Sequence, residues 1–221
     1  MTVKLDRTKR KKVLFLDLDG TIIESVEAQK WGYTTPHYIG DMQFRSHVVE
    51  AICNFAATFD VEYIWITSNQ GGIEKGFMKE SSFDKKLQFV CAAIEDYCGH
   101  DKRIKERYAT TQKEIEVDGI CCDANDPDDW MHKPNTGMLD FFIARHLPQK
   151  FHKREMIMVG DASGRKGQSS DSDKRCAKNF GIDYIDADDF INRFYENFTS
   201  QGFDWTQAWE ETVYLPQSKS N

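Results

Sequence analysis

Val13-Leu14-Phe15-Leu16-Asp17-Leu18-Asp19-Gly20-Thr21 runs four apolar residues straight into two acids and a glycine turn. A short uninterrupted apolar run of this kind reads as a strand buried on both faces, as in a parallel sheet. Strand side chains alternate faces, so Asp17 and Asp19 point the same way beyond the carboxyl end, where open α/β sheets bind their ligands. Two like charges that close are costly unless a cation neutralises them or one keeps its proton. An ordinary acidic turn after a strand uses the same residue types, so the surrounding sequence has to decide.

Working outward, apolar runs at 61–66, 156–159 and 182–187 read as further strands, and 106–110 and 116–122 fit two short ones. Helical patterning predicts helices over 45–59, 82–98, 136–146, 173–180 and 187–197, with Gly99 and Gly181 as stop signals. Strands alternating with helices predict an α/β fold, a Rossmann-like parallel sheet flanked by helices. Phe55, Phe59, Phe89, Leu139 and Phe142 are spaced for helix faces that pack on that sheet.

The 221 residues are 40% hydrophobic and 13% aromatic, which suits a single globular domain, placed here over 13–211. A basic arm (1–12) precedes it and a polar tail (212–221) follows. The arm holds Lys4, Arg7, Lys9, Arg10, Lys11 and Lys12. The net charge is -7, so the rest of the chain is more acidic still, which argues against broad, nonspecific polyanion binding. The sequence shows neither a membrane-length apolar stretch nor a signal-peptide pattern, and a cytoplasmic or nuclear, non-secreted protein is expected. Six cysteines without a CxxC pair read as reduced thiols.

Three further polar clusters follow predicted strands or open predicted helices. Thr67-Ser68-Asn69-Gln70-Gly71-Gly72 offers a hydroxyl and turn amides to a phosphate oxygen, although Thr-Ser-Asn is as easily a helix cap. Lys133-Pro134-Asn135-Thr136-Gly137 sets a lysine beside a helix start, a place that favours anions. Gly160-Asp161, with Asp171 and Asp173 beyond it, supplies oxygen ligands suited to magnesium. Each cluster alone could be solvated loop.

Taken in order, these four clusters resemble the motifs of the haloacid-dehalogenase (HAD) superfamily of aspartate-nucleophile phosphatases. Within it, Ser68-Asn-Gln-Gly-Gly-Ile, Lys133-Pro-Asn-Thr-Gly-Met and Val159-Gly-Asp-Ala-Ser-Gly164-Arg165 are most similar to the phosphatase domain of polynucleotide kinase 3′-phosphatases. The resemblance implies that Asp17 attacks phosphorus and that Asp19 serves as acid and base, while Ser68 and Lys133 steady the transferring phosphoryl group. Magnesium (Mg2+) would be held by Asp17, Asp161, Asp173 and the Asp19 main-chain carbonyl. Gly20, Thr21, Asn69 and Arg165 would meet the substrate. Counting back from Asn179-Phe180-Gly181 favours Asp173 over Asp171 as the second acid of the fourth motif. Gln168-Ser169-Ser170 stands where the polynucleotide-type pattern usually has Asp-Phe-Ser.

Only 48 residues separate Asp19 from Ser68, too few for a large cap domain in addition to a loop, a helix and a strand. An open site suits a phosphorylated DNA or RNA end, on whose base or sugar Trp31, Tyr33, His37 or Tyr38 could stack. The expected reaction is removal of 3′-phosphates in nucleic-acid repair. The alternatives are a small-molecule phosphatase of the histidinol-phosphate or heptose-bisphosphate type and a non-catalytic module that binds phosphate ends. Cys121, Cys122 and His132 lack the spacing of the zinc loop found in those small-molecule enzymes. The sequence contains no Gly-x-x-x-x-Gly-Lys-Ser/Thr loop of the kind a kinase partner domain uses.

Overall fold

The computed structural model describes residues 10–27, 35–147, 149–168 and 170–195. Its centre is a five-stranded parallel sheet of β1 (Val13–Leu16), β4 (Tyr63–Asn69), β5 (Glu116–Cys122), β6 (Met156–Gly160) and β7 (Asp183–Asp186), in the order β5-β4-β1-β6-β7. A separate antiparallel hairpin joins β2 (Ile23–Ser25) to β3 (Met42–Phe44). The helices are α1 (Val48–Phe59), α2 (Glu80–His100), α3 (Lys102–Thr111), α4 (Gly137–Arg145), α5 (Ser172–Phe180) and α6 (Ala187–Tyr195).

β1 is the middle strand, paired in register with Tyr63–Ile66 of β4 on one side and Met156–Val159 of β6 on the other. All four of its residues are buried because helices cover both faces. Leu14 and Leu16 join Ile64, Ile66, Ile157 and Val159 beneath Phe55, Phe83 and Phe190. Val13 and Phe15 turn the other way, toward Trp65, Met158, Leu139, Phe142 and Phe180. One core is largely aliphatic strand against aromatic helix, and the other stacks Trp65 on Phe142 with centroids 4.9 Å apart. The strand order reverses at β1, with β4 and β5 on one side and β6 and β7 on the other, which opens a crevice at the carboxyl ends.

The structure departs from the sequence reading in four places. Residues 106–110, expected as a strand, lie in α3. The Asp101 carboxylate accepts from the backbone N–H of Arg103 (2.8 Å) and Ile104 (3.3 Å), and this cap starts a helix that local β propensity did not suggest. β4 begins later than 61 and runs on through Thr67-Ser68-Asn69, which pair with Ile120, Cys121 and Cys122 instead of turning. The β2–β3 hairpin was not foreseen. The basic arm does not extend to residue 12: Lys11 is buried, donates to the Arg154 carbonyl (2.8 Å) and pairs with Asp183 (2.7 Å). Arg10 pairs with Glu62 at 2.7 Å. The expected tail, 212–221, lies outside the described residues.

Phe55 is fully buried, with its ring 4.6 Å from Phe59, 5.5 Å from Phe190 and 5.1 Å from Phe194. Phe55→Ala should therefore cost about 3–5 kcal/mol of stability, read as a lower midpoint in urea unfolding with an unchanged m-value.

Candidate active site

Three strand ends (β1, β4 and β6) and two helix starts (α4 and α5) converge on the crevice. Asp17 follows β1 directly, and the Thr21 hydroxyl donates to its Oδ2 at 3.0 Å. Its Oδ1 accepts from Lys133 Nζ at 2.6 Å. The same ammonium donates to the Thr67 carbonyl at 2.8 Å and lies 2.7 Å from Asp173 Oδ1. Lys133 is 2% exposed, so this is an ammonium inside the protein that bridges two carboxylates. Burial alone would lower its pKa, but Asp17 and Asp173 outweigh that and hold it above the ordinary lysine value.

Asn69, at the end of β4, sets this lysine in place. Its Oδ1 accepts from the Lys133 backbone N–H and its Nδ2 donates to the Lys133 carbonyl, each at 2.9 Å. Both ends of the amide are thereby engaged by the Lys133 main chain, so Asn69, read from the sequence as a substrate contact, positions Lys133.

Asp173 opens α5 and is buried, and its Oδ2 accepts from the Ala162 N–H at 3.1 Å. Asp171, the other candidate, is largely exposed and faces Arg175 at 3.6 Å. Asp161 follows β6 and is half-buried beside the cage. Oxygens of Asp17, Asp161 and Asp173 lie within 4.8 Å of one another. Asp173 Oδ1 faces the Lys133 ammonium at 2.7 Å as an ion pair. Three hard oxygen donors facing a single ammonium fit a divalent cation of the magnesium type.

Two glycines make the convergence possible. A Cβ on Gly20 would sit 2.3 Å from Asp161 Oδ2, and Gly20 also has φ +83°, a conformation that disfavours a side chain. A Cβ on Gly160 would sit 2.3 Å from Asp173 Oδ2.

Asp19 occupies different surroundings. Gln70 Nε2 donates to its Oδ2 at 2.5 Å and to Ser68 Oγ at 2.8 Å. Lys86 Nζ, from inside α2, reaches Asp19 Oδ1 at 3.5 Å and donates to the Pro36 carbonyl at 2.6 Å. Burial raises the Asp19 pKa above the ordinary carboxyl value, and the opposing influence of Lys86 and Gln70 does not cancel it. The pair therefore divides into a carboxylate touching an ammonium, Asp17, and a carboxyl biased toward keeping its proton, Asp19.

Arg165, expected at the substrate, has its guanidinium engaged by acids of the β7–α6 corner. It lies 3.1 Å from Asp186 Oδ1 and pairs with Asp189. Gln168 reinforces that loop, its Oε1 accepting from Ser163 N–H (2.9 Å), Ser163 Oγ (2.7 Å) and Arg165 N–H (3.1 Å). Of the aromatic residues expected to stack on a nucleotide, Tyr38 is exposed and His37 half-buried, while Trp31 and Tyr33 lie outside the described residues. Gln70 and Lys86 were missed by the sequence reading. Gln70 was read as turn, and Lys86 could have been noticed as a lysine within the stripe Phe83, Val90, Ile94 that α2 buries.

The family model described as polynucleotide kinase 3 phosphatase matches residues 12–191, from the segment before β1 into α6. The chain belongs to this family. Comparison of the polynucleotide kinase 3 phosphatase family member with solved structures returns HAD-like phosphatases. One, from Mesorhizobium loti, is 19% identical with a TM-score of 0.53, covering 89% of this chain and 90% of its own. Another is D,D-heptose 1.7-bisphosphate phosphatase from B. bronchiseptica, solved with magnesium and phosphate, 18% identical with a TM-score of 0.49 and 78% coverage of both chains. A search of curated proteins finds no sequence match. The parallel sheet flanked by helices is thus the HAD-like fold. Among the described residues no helix is long and apolar enough to cross a membrane.

Two expectations follow. Gly160→Ala forces Asp173 out of the cage, so it should reduce divalent-cation affinity at least about tenfold in isothermal titration, with the far-ultraviolet circular dichroism of the fold retained. The second concerns pH. Burial, then Asp17 and Asp173, pushes Asp161 up to about 7; burial, only partly offset by Lys133, pushes Asp173 up to about 6. Because these folded-state values are raised, the acids favour the metal-free fold fully below about pH 4, and that contribution is lost as pH rises through 6 to 7. Cations bind the deprotonated carboxylates, so magnesium should raise the melting temperature more at pH 8 than at pH 5.5, measured by differential scanning fluorimetry.

Proposed function

We propose that this phosphatase hydrolyses phosphomonoesters through an aspartyl phosphate on Asp17, with 3′-phosphates of DNA or RNA ends as substrate and magnesium as cofactor. The observation that carries the reading is the division of labour between two acids at one strand end: Asp17 held by Lys133 and Thr21, Asp19 buried with Gln70 and a raised pKa. A carboxyl biased toward keeping its proton, two residues from one held by an ammonium, is the arrangement that acid and nucleophile roles require.

In this reading a bond forms between an Asp17 oxygen and phosphorus as the ester P–O bond breaks. Asp19 gives its proton to the departing alkoxide, a poor leaving group at neutral pH. Water then attacks the aspartyl phosphate, Asp19 takes up a proton from it, and inorganic phosphate departs with Asp17 regenerated. Lys133 and Ser68 meet charge on the phosphoryl oxygens by position alone. Asp17, Asp161, Asp173 and the Asp19 carbonyl would hold magnesium, which offsets repulsion between the phosphate dianion and the nucleophile.

Substrate class rests on access. Between β1 and α1 the described residues form the small β2–β3 hairpin and a 3-10 turn over Ile39–Asp41, small elements that support the reading of a polymer end as substrate. The acidic character of the chain, pI near 5.4, favours the second reading, a small phosphate ester. A panel of 3′- and 5′-phosphorylated single and double strands beside sugar and amino-alcohol phosphates separates the two; preference for small esters overturns the nucleic-acid assignment. On the preferred substrate Asp17→Asn should lower kcat by at least about 10³-fold, and no acid-stable phosphate should remain on the variant after quenching. Retained turnover would sink the covalent mechanism.

A further inference from the structure

Lys86 stands where the sequence pattern of α2 calls for an apolar residue. Phe83, Val90 and Ile94 line the same buried face, and Lys86 itself is completely buried. A buried ammonium is retained at such a position only when it is paired and hydrogen-bonded. Its partners are specific: the Pro36 carbonyl at 2.6 Å and Asp19 Oδ1 at 3.5 Å, with the Phe83 ring centroid 5.8 Å away. Asp41 and Cys121 add to the electrostatic surroundings of the ammonium.

The arrangement joins three segments that are far apart in sequence: the end of β1, the segment leading to β3, and α2. Gln70 grips the second oxygen of Asp19 from the end of β4, at 2.5 Å. The Asp19 carboxyl is therefore held from two sides, one oxygen to each tether. Its side chain is 11% exposed, so a limited face looks out into the crevice.

We propose that Lys86 is a positioning residue for proton transfer: it fixes the Asp19 carboxyl toward the leaving-group oxygen and locks the Pro36 segment beside it. The assignment rests on the acid–base role read for Asp19 above. A side chain that only supports the fold lowers every reaction at the site alike, whereas one that aims the acid matters most when the leaving group needs a proton. Lys86→Met removes both contacts while keeping the length and apolar stem; Lys86→Gln keeps a donor without the charge.

The test compares kcat/KM, which reports formation of the aspartyl phosphate, for two esters. One is p-nitrophenyl phosphate, whose phenolate leaves without protonation. The other is the alkyl phosphate that the substrate panel ranks first. Lys86→Met should depress the alkyl ester relative to the aryl ester by about tenfold or more, with Lys86→Gln intermediate and Asp19→Asn larger still. Melting curves establish that the variants fold. If Asp19→Asn is selective between the esters but both Lys86 variants lose the two activities in equal proportion, Lys86 supports the fold and the proposal is overturned. It is overturned equally if neither Lys86 variant folds. If Asp19→Asn itself shows no selectivity, the acid–base reading fails, and the Lys86 assignment falls with it.

Discussion

The Lys133 ammonium, buried between Asp17 and Asp173, is the contact on which the site depends. Without it, carboxylates from the ends of β1 and the start of α5 would face each other, and Asp161, across a few ångströms in a poorly solvated crevice. Removing one partner of such a buried cluster is far more disruptive than its net contribution suggests, because the remaining charges stay desolvated. The lysine is in turn held through its backbone by Asn69 and through its side chain by the Thr67 carbonyl, both on β4. One positive charge thereby binds the two halves of the doubly wound sheet to each other at the point where the strand order reverses.

The surroundings of Asp17 and of Asp19 are separate pieces of electrostatics only two residues apart. Asp17 belongs to an ion-rich cluster, while Asp19 belongs to a hydrogen-bonded set with Gln70, Ser68 and Lys86. Alternation along an extended strand end permits this only because Gly20 turns the chain sharply, its N–H donating to the Ile23 carbonyl at 2.7 Å. The main chain then passes close beneath Asp161, within a space that any side chain on Gly20 would occupy.

Much of this was readable from residues alone. β1, β6 and β7 were found within a residue or two at each end because continuous apolar letters bounded by turn residues leave few alternatives. Of the two acids weighed for the fourth motif, Asp173 lies against Lys133 in the buried cluster and Asp171 lies outside it, beside Arg175. Thr67-Ser68-Asn69 was misread as turn because polar letters at the end of a parallel strand look like a loop until the pairing with β5 is seen. Helix α3 escaped notice because its cap, Asp101, acts through two backbone N–H groups that no periodicity reveals. Arg165 and Asn69 carried the right chemistry for a phosphate, but their partners, Asp189 and Asp186 for one and the Lys133 main chain for the other, are known only from three dimensions. Lys86 broke the helix pattern in plain view, and its meaning depended on Pro36 and Asp19, remote in the chain.

The pairing of Val13 with Met156 spans most of the described chain, and it has a consequence for how the molecule is made. Closing so long a loop is entropically slow, and a central parallel strand cannot complete its ladder until both neighbours arrive. During synthesis Asp17 emerges early, yet Lys133, Asp161 and Asp173 follow only after the first half of the sheet has been made. A nascent chain thus carries the two acids that follow β1 for most of its elongation without Lys133 and Asp173 beside them. The cluster of Asp17, Lys133, Asp161 and Asp173 can close only after the start of α5 has been made, when four of the five strands of the central sheet already exist.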